Sequence, residues 1–136
     1  MGENIVKKSR MLNSEISYII SKMGHTDTLT IGDSGLPIPQ EVQRIDLALE
    51  KGLPSFLDTL DCVLDELAVE EIILASEIVD LSNNLYKDIL TRFDGIKITT
   101  VPHEEFKELT RLSKAVIRTG EFTAYANIIL KSGVVF

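Results

Sequence analysis

Short runs rich in β-branched residues alternate along this chain with stretches of helical period. The runs "TLTI" from Thr28, "RIDLAL" from Arg44, "VEEIILAS" from Val69, "IKITTV" from Ile96, "AVIRTGE" from Ala115 and "NIILKSG" from Asn127 are short and flanked by turn formers, which is the pattern of strands. Between them, Ile16, Ile19, Ile20 and Met23 share one helical face, with Asn13 or Ser14 to cap its start and Gly24 its end. Pro54 stands at a first-turn position before Phe56, Leu57, Leu60, Val63, Leu64 and Leu67, which form one face and leave Asp58, Asp61 and Asp65 on the other. "NNLYKDILTRF" predicts a helix with Leu85, Ile89 and Phe93 inward, and Pro102 opens another through "HEEFKELTRL". Strands alternating with helices predict an α/β fold: a single-domain layered sandwich, its central β-sheet flanked by helices. With 136 residues and no internal repeat or linker, one such domain can bury about two-thirds of its unfolded surface.

Charge and cysteine content narrow the function classes. A net charge of -7 opposes binding to nucleic-acid phosphates or anionic lipid, both of which need clustered Lys and Arg. The longest apolar runs fall far short of the roughly 20 residues of a membrane span, so the expectation is no nucleic acid, no membrane and a cytoplasmic setting. Cys62 is the single cysteine, which rules out an intrachain disulfide and a thiolate-rich zinc site within one chain. The expected partner is a small neutral molecule or another protein.

In α/β sheets ligands meet the loops at the carboxyl ends of strands. Asp33, after "TLTI", and His103, after "IKITTV" and Pro102, fall there. The plainer alternatives are an Asx turn for Asp33 and an ordinary first-turn residue for His103. His25 follows one helix C-terminus and His103 opens another helix, so opposite dipole ends face the two imidazoles, a pairing that suits acid and base roles. His25, Asp27, Asp33 and His103 are metal-ligand types, but none has diagnostic spacing. The signatures of zinc proteases, dinucleotide sites, phosphate loops and serine hydrolases are absent. "GDSG" matches the nucleophile loop of chymotrypsin-like proteases in letters only, and Ser34 is discounted because the pattern is not all-β.

Taken in order, "LNSEIS", "GHTDTL", "DSGLPIP", "RIDLAL", "VPHEEF", "AVIRTGE" and "YANIILKSGV" resemble the D-ribose pyranase family, related to the fucose mutarotases. The resemblance spans 12–136 as one domain and leaves 1–11 as an N-terminal extension. It implies an isomerase that interconverts pyranose and furanose D-ribose without a cofactor. It further implies His25 as proton donor, with Asp33, His103, Tyr125 and Asn127 binding the sugar. The assembly it implies is a homo-oligomer, a decamer of two stacked pentameric rings. The "LPIP" loop favours ribose over L-fucose; a fucose or broader mutarotase and a non-catalytic sugar-binding module are the alternatives.

The chemistry suits these side chains. Opening a cyclic hemiacetal delivers a proton to the ring oxygen and removes one from the anomeric hydroxyl, which an imidazole can do. The geometry raises a difficulty, because eight extended residues between His25 and Asp33 span roughly 26 Å. Either "HTD" folds back, or one site draws on neighbouring subunits.

Overall fold

The computed structural model describes residues 6–136. In chain order it contains α1 (Ser14–Lys22), β1 (Thr28–Gly32), β2 (Gln43–Asp46), α2 (Phe56–Leu64), β3 (Val69–Ala75), α3 (Ile78–Leu81), α4 (Asn83–Leu90), β4 (Lys97–Val101), α5 (His103–Leu109), a 3-10 turn (Thr110–Leu112), β5 (Ala115–Arg118) and β6 (Ile128–Ser132). The six strands form one sheet in the order β2-β5-β1-β6-β3-β4. β1, β2 and β5 pair in parallel, as do β3 and β4, while β6 pairs antiparallel with both β1 and β3. Five strands therefore point one way and β6 alone runs against them. One edge of the sheet collects the carboxyl ends of β1 to β5 together with the amino end of β6.

Strand alternation sorts the core into two layers. Leu29, Ile31, Ile45, Ile72, Leu74, Ile117, Ile128 and Leu130 face one side, where they pack with Ile16 and Ile19 of α1 and Phe56, Leu60 and Val63 of α2. Val116, Ile129 and Ala75 face the other side, covered by Phe106 of α5 and by Leu36 and Val42 of the loop after β1. The layered α/β sandwich is thus built as the periodicity predicts. Met11 also packs into the larger core, at 4 % exposure, and Lys7 donates to Ser17 Oγ at 3.0 Å.

The local differences have physical reasons. The second strand stops at Asp46 rather than Leu49, because Asp46 Oδ1 accepts from Ala48 N–H and Leu49 N–H turns to Leu53 C=O. Pro54 lies outside α2: Ser55 is the N-cap, its hydroxyl accepting from Asp58 N–H at 3.1 Å. The acidic face of α2 is partly neutralised, with Asp61 bound by Arg92 through Nε at 2.6 Å and the second guanidinium nitrogen at 3.1 Å. The fourth helix ends at Leu90, short of Phe93. The helix after Pro102 tightens into the 3-10 turn at Thr110.

Candidate functional site

The loop after β1 turns as soon as the strand ends. Asp33 Oδ1 accepts from Gly35 N–H at 3.0 Å, an Asx turn, and Asp33 N–H donates to Asn127 Oδ1 at 2.9 Å. The turn reading and the site reading of Asp33 are therefore compatible, since the turn aims the carboxylate beside the start of β6. Gly32 makes this approach possible: a Cβ there would lie 2.7 Å from Leu36 Cδ2 and 3.1 Å from Asn127 Oδ1. Asn127 itself is 1 % exposed, so its amide acts as a fixed strut between β1 and β6.

His103 arrives from the other end of the same edge. It opens α5 directly after β4, and its N–H donates to both carboxylate oxygens of Glu77, at 3.0 and 3.2 Å. Glu77 thus caps a helix whose own N-cap is proline and offers no side-chain acceptor. The imidazole meets Tyr125 edge to face at 5.1 Å between centroids and lies over Phe106 at 6.3 Å. Tyr125 adopts φ 61, a left-handed conformation that costs an aromatic residue energy and is found where surrounding structure enforces it.

Asp33, His103, Tyr125 and Asn127 line one open cavity of about 270 Å³ with Gly35, Leu36, Pro37 and Ala124. Two features mark it as a candidate polar site. Burial pushes the Asp33 carboxyl up from its ordinary value, opposed by the N–H groups of Gly35 and Leu36, by Asn127 and by charge on His103. His103 Nδ1 is buried without a hydrogen-bond partner, whereas nearly all buried polar atoms in native proteins are paired. Among the described residues no group of three or more His, Cys, Asp or Glu could hold a metal ion.

His25 lies elsewhere. It follows α1 in a tight turn where Asp27 N–H donates to Gly24 C=O at 3.1 Å and Gly24 N–H to Asp27 Oδ2 at 2.8 Å. Thr26 holds φ 74 in this turn. The turn is tied to the end of β6, through Thr26 N–H to Ser132 C=O at 3.0 Å and Ser132 N–H to Asp27 C=O at 2.9 Å. All of this is at the amino edge of the sheet. The five extended residues of β1 separate it from Asp33 by about 16 Å of strand, so "HTD" does not fold back to the cavity.

Sequence reasoning missed two carboxylates. Glu77 stands just past the carboxyl end of β3, a position where a ligand-facing or capping role was legible. Glu70 pairs with His25, 2.6 Å from Oε1 to Nε2; its signal was the consecutive Glu70-Glu71 that breaks strand alternation. No helix among the described residues is long and apolar enough to cross a membrane.

Residues 6–135 match the model of the RbsD / FucU transport protein family. A D-ribose pyranase of Clostridium tetani is 60% identical over 96% of this chain and 100% of its own. The structure of Bacillus subtilis RbsD complexed with D-ribose superposes with a TM-score of 0.93 at 48% identity, over 96% of this chain and 100% of that one. A fucose mutarotase from Streptococcus pneumoniae, solved with L-fucose, reaches 0.74 at 24% identity over 96% and 100% of the two chains, a likeness of fold.

Proposed function

The chain belongs to the RbsD / FucU family, and from that premise we propose that it is a D-ribose pyranase whose cavity at the carboxyl edge holds the sugar. It is an isomerase: the bond from C1 to the ring oxygen O5 breaks, O5 gains a proton, and the anomeric hydroxyl loses one to become the aldehyde. Closure through O4 reverses the proton traffic and gives the furanose, with no net change in protons or electrons. Nothing in that sequence calls for a cofactor.

The observation that carries the reading is the unpaired, buried Nδ1 of His103 on the ring that lines the cavity. A sugar hydroxyl can satisfy it as donor or acceptor. Asp33 is the acceptor for a second hydroxyl, its carboxylate oriented by the Asx turn. Asn127 holds Asp33 and has amide hydrogens to offer. Tyr125 contributes its ring edge and a hydroxyl. His25 is the acid and base that exchanges protons with O5 and the anomeric oxygen.

Since β1 separates His25 from the cavity, His25 must act on a sugar held by another copy of the chain. The proposed assembly is a homo-oligomer, with two stacked pentameric rings as the expected form and a cytoplasmic setting. Support comes from the opposite-edge placement of the two site halves and from the exposed apolar residues Leu49, Leu112, Phe122, Val135 and Phe136.

Magnetisation exchange between the pyranose and furanose NMR signals of D-ribose tests the reading. The protein should accelerate it. Binding without acceleration would make the chain a sugar-binding module, and acceleration for L-fucose alone would transfer the assignment to a fucose mutarotase.

A further inference from the structure

Glu70 occupies an irregular place in the sheet. Val69 pairs with Ser132 and Glu71 with Lys131, so Glu70 is the extra residue of a β-bulge between them. Bulges re-aim a side chain out of the strand's alternation and are frequent beside active sites. Here the bulge turns Glu70 toward the His25 turn, 2.6 Å from Oε1 to Nε2. The arrangement is braced on both sides. Gly133 N–H donates to Ala68 C=O at 2.8 Å, just before the bulge, and a Cβ on Gly133 would press on Glu70 Cβ at 3.2 Å. On the histidine side, Ser132 accepts from Thr26, donates to Asp27, and its hydroxyl donates to Gly24 C=O.

The charged neighbours leave Glu70 to His25. Lys131 Nζ is 3.9 Å from Glu70 Oε2 and 3.7 Å from Glu71 Oε1. Glu71 is taken up by Thr99, whose hydroxyl donates to it at 2.7 Å. Asp27 faces Gly24 N–H and Lys114. Glu70 is thus the carboxylate that meets the imidazole, and Lys131 steadies its second oxygen.

We propose that Glu70 is the positioning residue for His25. Its carboxylate accepts from Nε2–H, fixes the ring's orientation and tautomer, and leaves Nδ1 as the nitrogen that exchanges protons with the sugar. The hydrogen bond at one imidazole nitrogen decides the state of the other, as a buried carboxylate does for the base of a catalytic triad. The inference rests on the proposed role of His25 as acid and base. It adds a direction: the sugar must approach from the Nδ1 side of the ring, away from β3.

Three variants test it together: Glu70→Gln, which keeps length but can also donate; Glu70→Ala; and His25→Ala. The exchange rate of D-ribose should fall about 10- to 100-fold in kcat for Glu70→Ala, the order of loss seen when a carboxylate that orients a metal-bound histidine is removed, with KM within about twofold. The ring nitrogens of His25, read by 15N NMR in the full-length protein, should show the Nε2–H tautomer in the parent and a mixture in Glu70→Gln. Unchanged nitrogen shifts with kcat within about threefold in both Glu70 variants would overturn the proposal. So would a rise in KM at constant kcat, the mark of a residue that only shapes the edge. Loss in His25→Ala alone would remove Glu70 and keep His25, whereas a normal rate in His25→Ala would remove the reading on which the inference rests.

Discussion

Replacing Asn127 by Ala should damage both fold and function, in amounts that can be stated separately. The Asn127 amide is buried and its Oδ1 accepts from Asp33 N–H at 2.9 Å. Truncation leaves that part-buried N–H without a partner, at a cost of about 1 to 3 kcal/mol. For 136 residues, an unfolding entropy of about 2.1 cal/mol/K per residue makes each kcal/mol worth roughly 3.5 °C in Tm. The expected fall is therefore about 3 to 10 °C at fixed protein concentration. The same truncation frees Asp33 from its strut and removes an amide that lowers its carboxyl pKa. Displacement of a site group by an ångström can cost about 10²-fold in rate, and ribose exchange should fall by about that factor. Asn127→Asp separates the two effects: it keeps an acceptor for Asp33 N–H but sets a second carboxylate beside one already penalised by burial. Most of the stability should return in acid, where the added carboxyl is neutral, and be lost again as pH rises, with little of the activity recovered at any pH. Calorimetry and NMR exchange on the same samples decide the matter. Near-normal exchange in Asn127→Ala would refute the argument, as would an unchanged Tm.

Two further outcomes follow from the same loop. Burial raises Asp33, so the folded chain keeps that proton to higher pH than the unfolded chain; Asp33 costs nothing in acid, and stability falls as pH rises from its ordinary value through the raised one. Asp33→Asn should match the parent in acid and become the more stable protein as pH climbs through that window, while losing exchange; denaturant midpoints across the range check this, and a parent more stable at neutral pH would refute it. Gly32→Ala would drive a methyl to 2.7 Å from Leu36 Cδ2 and 3.1 Å from Asn127 Oδ1. Leu36 can yield, so the chain should fold at a cost of about 1 to 3 kcal/mol, with exchange reduced by the shift of Asn127; full activity would show that the Asp33 loop tolerates the displacement.

Much of this site was legible because strand ends carry it. "TLTI" and "IKITTV" placed Asp33 and His103 at carboxyl ends, and the sheet directions put both on one edge. The position of Tyr125 and Asn127 on that edge was not legible from pattern, since it depends on β6 running antiparallel between β1 and β3, a long-range pairing that "NIILKSG" does not encode locally. Their assignment came through the family resemblance. The separation of His25 from Asp33 was legible as a length, because an extended strand has a fixed rise; which way "HTD" turns was not, since it depends on Thr26 in a left-handed conformation and on bonds to Ser132, more than a hundred residues away. The short second strand and the displaced start of α2 are cases where side-chain acceptors, Asp46 and Ser55, override propensity.

The central claim is that one catalytic centre takes His25 from one chain and the His103 cavity from another. His25→Ala and His103→Ala proteins, each expected to be nearly inactive, should be mixed in equal amounts and allowed to exchange subunits, and D-ribose exchange should then be followed by NMR. In a randomly mixed homo-oligomer half the donors of each kind are intact, so about one quarter of the centres hold both histidines and about one quarter of the parent rate should return. A mixture that stays as inactive as its two components after verified subunit exchange would contradict the account, because a centre built within one chain can never recover both histidines.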